Sequence, residues 1–136
     1  MENRSIRQPG EFYDENKDFT TLDVWKKSRE VKLFFYKKVI PNLSAGEKYN
    51  LKSQIKRAAI SVTANIAEGY GRFHYQEGIQ FYRIARASLY ELKDHLISCF
   101  DLNFIDDTIQ KEGIDLIEAA KITLNGYINY VKSKCK

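Results

Sequence analysis

Residues 54–69 read QIKRAAISVTANIAEG, and the spacing of their apolar side chains predicts one long helix. The apolar stripe of this helix consists of Leu51, Ile55, Ala58, Val62 and Ile66. A second stripe, about 100° round the helix axis, is polar and consists of Gln54, Arg57, Ser61, Asn65 and Glu68. Because small residues punctuate both stripes, we expect another helix to approach closely. We therefore predict that this helix is the inner strut of a bundle, and that Gly69 ends it in a left-handed cap.

The composition of the chain favours a single all-α domain. The 136 residues include 43 % hydrophobic residues but only two prolines and seven glycines, so long periodic segments run with few breaks. A chain of this length can remove roughly two-thirds of its unfolded surface from water. We predict a flexible arm at residues 1–19 and a single up-down antiparallel four-helix bundle at residues 20–136. The four helices are expected at about residues 21–40, 48–68, 75–101 and 106–133.

The first predicted helix is apolar nearly all round at residues 31–36. Its core stripe is Val24, Ser28, Val31, Phe35 and Val39, which one face of a helix accounts for. Leu33, Phe34 and Tyr36 fall outside that stripe. We predict that these three residues form an oligomer interface; the alternative is a small core that uses a wide stripe.

The polar stripe is predicted to form a structural network, because buried polar side chains must hydrogen-bond to one another. Arg57 is expected to pair with Glu68 or Glu91. The alternative is that Arg57 and its neighbours line a ligand pocket, although pockets usually combine polar groups with an apolar cavity. The candidates for the network are Gln54, Arg57, Ser61, Asn65, Glu68, Ser88 and Glu91.

Two groups of basic residues are candidates for contact with nucleic acid. The chain has a net charge of +4, and residues 21–68 hold ten basic and four acidic side chains against eight and nine in residues 73–136. Lys48, Lys52 and Lys56 form a strip at successive four-residue spacing, which suits phosphates. The second group mixes cations with aromatic rings, which suit unpaired bases. Its basic members are Arg72, Arg83 and Arg86. The alternative is an ordinary solvated surface.

Nothing in the sequence predicts an active site, a metal site or a cofactor. His95 and Cys99 are four residues apart on a predicted helix, but they lack a third ligand. Cys99 and Cys135 are two isolated thiols, which fit a reducing cytoplasm. Because no signal peptide and no apolar run of about 18 residues is recognised, we expect a cytoplasmic protein with no membrane partner.

Several short blocks of the sequence are similar to one known family. They are Val24-Trp25, Tyr49-Asn50-Leu51, residues 53–59, Ser61, residues 64–72, Phe81, Ile84-Ala85, Ser88, Glu91-Leu92 and residues 124–126. Together, over about residues 22–131, they resemble the bacterial four-helix bundle proteins named for intervening sequences in 23S ribosomal RNA. The resemblance implies a protomer that assembles into a homopentameric ring. It also implies kinship with the accessory protein of diversity-generating retroelements, a basic pentamer that works with a reverse transcriptase and nucleic acid.

The chain departs from this family at three places. Thr63 stands where the family often has proline, residues 43–46 lengthen a connector, and the N-terminal arm is long. None of these differences changes the expected fold. The resulting functional prediction is a non-enzymatic oligomeric scaffold associated with RNA or DNA. The residues predicted to bind phosphates are Lys48, Lys52, Lys56, Arg72, Arg83 and Arg86. The alternative is an adaptor that recruits a protein partner, such as a reverse transcriptase, without touching nucleic acid.

Overall fold

Four long helical segments follow one another in the computed structural model, which describes residues 18–47 and 49–135. Helix α1 spans Asp23–Phe34 and continues through a π-helical turn at Phe35–Val39 and a 3-10 turn at Ile40–Asn42. Helices α2, α3 and α4 span Leu51–Tyr70, Tyr75–Asp101 and Asp107–Ser133. Short 3-10 turns occupy Phe19–Thr21 and Ala45–Glu47. The described residues contain no strand, so the predicted all-α class is confirmed.

The helices pack as the up-down pattern predicts. Helix α2 lies between α1 and α3, and α4 packs against α3 and α1. Ser61 meets Ser88, while Gly69, further along α2, meets Gly78, nearer the start of α3. Since residue numbers rise along one helix as they fall along the other, α2 and α3 are antiparallel.

The core stripe of α1 is buried as its periodicity predicts. Val24, Ser28, Val31, Phe35 and Val39 are each at most 2 % exposed. Phe34 is also buried, at 5 % exposure, and its ring lies where α4 carries only a glycine, Gly113. The structure therefore places Phe34 in the core of the bundle rather than on its surface, because α1 uses a wide stripe against both neighbours. Leu33 and Tyr36 are half-buried.

Gly69 does not cap α2 in the left-handed conformation, and that prediction is wrong. The helix continues to Tyr70, and the capping residue Gly71 has φ −78° and ψ −7°, which is the right-handed region. Gly69 instead lies where α2 and α3 approach each other closely. A Cβ atom there would lie 3.0 Å from the carbonyl oxygen of Gly78. Tertiary packing, not the chain's turn, sets the need for glycine at this position.

The starts of α2 and α4 and the predicted N-terminal arm can also be compared with the structure. Helix α2 begins at Leu51, three residues later than predicted, and runs unbroken through Thr63. Helix α4 begins after Asp106, whose carboxylate accepts a hydrogen bond from the backbone N–H of Ile109 at 2.9 Å. Of the predicted arm, residues 1–17 lie outside the described residues. Phe19 already packs edge-on against Trp25, with ring centroids 5.3 Å apart.

Candidate nucleic-acid interface and polar clusters

Part of the polar stripe of α2 faces α3 and contacts polar side chains there. Ser61 Oγ lies 2.9 Å from Ser88 Oγ. The Asn65 side-chain amide donates to the Ser61 hydroxyl at 2.9 Å and to the Ser61 carbonyl at 2.8 Å. Ser88 is 8 % exposed, and Ser61 and Asn65 are half-buried. These three residues thus form one hydrogen-bonded cluster that joins the two helices.

A second polar cluster joins the same two helices. The Arg57 guanidinium is 3.5 Å from the Glu91 carboxylate and also donates to Gln54. His95 Nε2 lies 3.0 Å from the same Glu91 carboxylate. The His95 side chain is 15 % exposed whereas that of Arg57 is 60 % exposed, so solvent screens the charged part of this cluster.

His95 was not predicted as a member of the polar network and was considered only as a metal ligand. Its position one helical turn after Glu91 was the available signal, since residues four apart share one side of a helix. Among the described residues, no group of three His, Cys, Asp or Glu side chains is placed to hold a metal ion.

Glu68 stands apart from the rest of the predicted network. Its carboxylate pairs with Arg72 at 2.9 Å, one turn later, rather than with Arg57. The Arg72 guanidinium also covers the Phe81 ring, 4.5 Å from the ring centroid. Of the two partners considered for Arg57, the structure pairs it with Glu91.

The lysine strip of α2 lies toward α1. Lys32 of α1 donates to the Thr63 hydroxyl at 3.3 Å, which identifies the side of α2 that faces α1. Lys56 and Lys52 precede Thr63 by seven and eleven residues, and both spacings return to the same side of a helix. Lys56 is exposed and Lys52 half-buried. Lys48, the third member of the predicted strip, lies outside the described residues.

The three arginines are elsewhere and are held differently. Arg86 is half-buried and donates to the Asn125 side chain at 2.8 Å, which ties α3 to α4. Arg83 is exposed on α3. Arg72 follows the end of α2, and the 14 residues from Lys56 to Tyr70 alone span about 21 Å of helix. The predicted phosphate-binding residues therefore do not form a single patch.

The cations of α1 and its π-helical continuation were not among the predicted nucleic-acid-binding residues. Residues 23–39 hold six basic and two acidic side chains, and Lys26, Arg29 and Lys37 are exposed. Arg29 and Lys32 follow Lys26 by three and six residues on α1 and lie progressively nearer α2, whereas Lys37 lies in the π-helical turn that continues α1. We refer to the resulting surface as the basic face, which consists of Lys26, Arg29, Lys32, Lys37, Lys52 and Lys56. The charge excess of residues 21–68 was the signal that could have identified it.

Cations on the opposite side of the bundle are neutralised within the protomer. Lys93 of α3 and Lys121 of α4 both contact the Glu118 carboxylate, at 2.9 and 3.2 Å. Hydrogen bonding from Lys93, and then from Lys121, holds the pKa of Glu118 below its ordinary value. Lys121 also lies 3.9 Å from the centroid of the Tyr90 ring. Lys93 and Lys121 are therefore less available to an external anion than the exposed cations of the basic face.

Comparison with known proteins gives one family match. The sequence model of the family described as 23S rRNA-intervening sequence protein matches residues 20–126. No curated protein matches the chain. No helix in the described part of the chain is long and apolar enough to cross a membrane.

Proposed function

The chain belongs to the 23S rRNA-intervening sequence protein family, and we propose that it is a non-enzymatic helical scaffold that binds nucleic acid. The observation that carries this proposal is the basic face, where the lysines of α2 lie beside α1. A surface of clustered lysine and arginine attracts phosphates irrespective of base sequence. Since the name of the family refers to ribosomal RNA, RNA is the first ligand to test.

The predicted arginines contribute unequally to this proposal. Arg72 and Arg86 already hold contacts inside the protomer, with Glu68 and Asn125. A phosphate would have to compete with those partners. Arg83 is exposed on α3, away from the basic face, and stays a proposed phosphate ligand. Lys52 and Lys56 are therefore the residues of choice for a first test.

The test is a fluorescence-anisotropy titration of a labelled RNA hairpin at several salt concentrations. The variant is Lys52→Glu/Lys56→Glu. The matched control is Lys111→Glu/Lys132→Glu, which changes the net charge by the same amount at exposed positions of α4. Each phosphate that the protein neutralises contributes about −0.9 to the slope of log K against log salt for a duplex. Because the variant loses two such contacts, its slope is expected to be less negative than that of the wild type by roughly 2.

The control variant is expected to bind almost as the wild type does. Equal losses in both variants would show that only net charge matters and would contradict a role for the basic face. No binding by the wild type at low salt would refute the proposed function.

We also propose that the protein self-associates as a pentamer, which is the assembly that the family resemblance implies. Leu33 and Tyr36 are half-buried on α1, and Ile60 and Ile84 are 51 % and 48 % exposed on α2 and α3. Such apolar surface is available for contact between subunits. Light scattering is expected to give five times the 15.9 kDa mass of the chain. A single-chain mass at all concentrations would contradict self-association.

The exposed isoleucines favour one alternative function, that of a protein-interaction adaptor. In that case a partner, for example a reverse transcriptase, would cover Ile60 and Ile84, and nucleic acid would bind only to the partner. An Ile60→Asp/Ile84→Asp variant would then lose the partner, whereas Lys52→Glu/Lys56→Glu would keep it. Direct salt-dependent binding of RNA by the protein alone would exclude this alternative.

A further inference from the structure

We infer that the basic face binds the backbone of a double-helical nucleic acid rather than an unpaired strand; this inference rests on the proposed function and specifies its ligand. Proteins that bind single strands without sequence preference combine cations with exposed rings on which bases stack. A double helix offers phosphates but hides the faces of its bases. The distribution of rings relative to cations therefore indicates which form a surface can hold.

The rings near the basic face are used inside the protomer. Trp25 is half-buried, its ring packs edge-on against Phe19, and the Arg29 guanidinium covers it at 5.7 Å from the centroid. Tyr36 is also half-buried. No residue of α1 is among the exposed large hydrophobic side chains of the described chain. This helix thus presents cations without offering a surface for stacking.

The exposed rings lie mainly at other places. Phe73 is 54 % exposed in the link between α2 and α3, and Tyr90 is 54 % exposed beside Lys121 on the far side of the bundle. Tyr49 is the exception, since it is 86 % exposed and precedes α2 at one end of the basic face. A single ring can stack one base, so Tyr49 provides the control for the inference.

The dimensions of the basic face suit two phosphate strands. Lys26 lies near the start of α1 and Lys37 lies in the π-helical turn after its end, and the eight residues from Lys26 to Phe34 alone span about 12 Å. The cations of α2 form a second row, because packed helices lie about 8–10 Å apart. The strands that border a groove of a duplex are separated by roughly 6–12 Å, which two rows of flexible lysine side chains can reach. An unpaired strand could follow only one row at a time.

The test compares blunt duplexes of RNA and of DNA with the corresponding single strands, at equal length and salt. Two charge-reversal variants each remove one row: Lys26→Glu/Lys37→Glu on α1 and Lys52→Glu/Lys56→Glu on α2. We expect duplexes to bind about tenfold more tightly than single strands, and each variant to reduce the duplex salt slope by roughly 2. Tyr49→Ala is expected to leave duplex binding unchanged.

The failures of the two proposals are distinguishable. Single strands that bind as tightly as duplexes, or more tightly, with a loss in Tyr49→Ala, would overturn the preference for duplex and leave the proposed function standing. A duplex salt slope that responds to only one of the two variants would also overturn it. Absence of binding to every probe at low salt would refute the proposed function itself. A tighter complex with one of the two duplexes would show whether the bound double helix is RNA or DNA.

Discussion

The substitution Gly78→Ala tests the close crossing of α2 and α3. A Cβ atom at Gly78 would lie 2.9 Å from the backbone carbonyl oxygen of Gly69 and 3.4 Å from the Tyr82 ring. Real Cβ atoms essentially never approach another heavy atom this closely. Since the obstructing atom belongs to the backbone of α2, the two helices must move apart to admit the methyl group.

Two opposing effects set the magnitude of the change. Replacing glycine by alanine inside a helix stabilises it by about 0.5–1 kcal/mol, because the unfolded chain loses less freedom on folding. Inserting a methyl group into a packed contact costs about 1–3 kcal/mol. Because a backbone atom cannot rotate away as a side chain can, we expect the upper part of that range. The net result is a loss of about 1–2 kcal/mol in the free energy of unfolding.

Urea unfolding followed by circular dichroism measures this change, and Gly126→Ala is the matched control. Gly126 lies within α4, and a Cβ atom there would have no neighbour within 4 Å. The control is expected to gain about 0.5–1 kcal/mol. The urea midpoint of Gly78→Ala should fall by roughly 0.5–1 M at the m-values usual for small proteins. Equal or higher stability of Gly78→Ala relative to Gly126→Ala would refute the close crossing.

Three further predictions concern groups in the core and between helices. Ser28 is fully buried, and its hydroxyl has no hydrogen-bond partner. Ser28→Ala is therefore expected to raise the free energy of unfolding by about 1 kcal/mol in urea, and a loss would contradict this reading. Burial, and next the charge of Glu47, raise the pKa of the Cys99 thiol from 9.0 to about 11. In the unfolded chain the Cys99 thiol loses its proton at lower pH than in the folded chain. The free energy of unfolding should therefore fall as the pH rises from 9 to 11. At pH 8, Ellman's reagent should label only Cys135 in the native protein and both thiols in urea; rapid native labelling of both would be inconsistent with the buried site. Arg86→Ala should cost about 1 kcal/mol, since it removes the hydrogen bond to Asn125. Its RNA affinity should fall less than that of Lys52→Glu/Lys56→Glu, and a larger fall would assign Arg86 to the interface.

The periodic part of the fold could be predicted from the sequence. Residues at helical spacing supplied the core stripe of α1, and α3 has the predicted bounds. This succeeds because burial of one side of a helix repeats every three or four residues, whatever the neighbouring helix is. The π-helical turn at Phe35–Val39 could not be predicted in this way, because it leaves no periodic signal of its own.

The site depended more on the relative positions of helices. Arg57 had two acidic candidates at suitable positions, and only the packing of α2 on α3 selects Glu91. The same packing brings His95 to the Glu91 carboxylate. It also explains why Gly69, which was predicted to cap α2, instead packs closely against α3. Grouping of the basic residues by sequence likewise missed Lys32, because its neighbours in space are on another helix. Which side chains pair between helices depends on how the helices pack, and a single sequence does not reveal that packing.

The most direct test of a nucleic-acid-binding scaffold is the salt dependence of RNA binding by the unmodified protein. An anisotropy titration of a labelled RNA hairpin between 50 and 200 mM salt provides it. With most of the basic face engaged, we expect log K to fall with log salt at a slope of about −3 to −5. A slope near zero, or no binding at the lowest salt, would contradict the account and leave the adaptor function as the explanation to pursue.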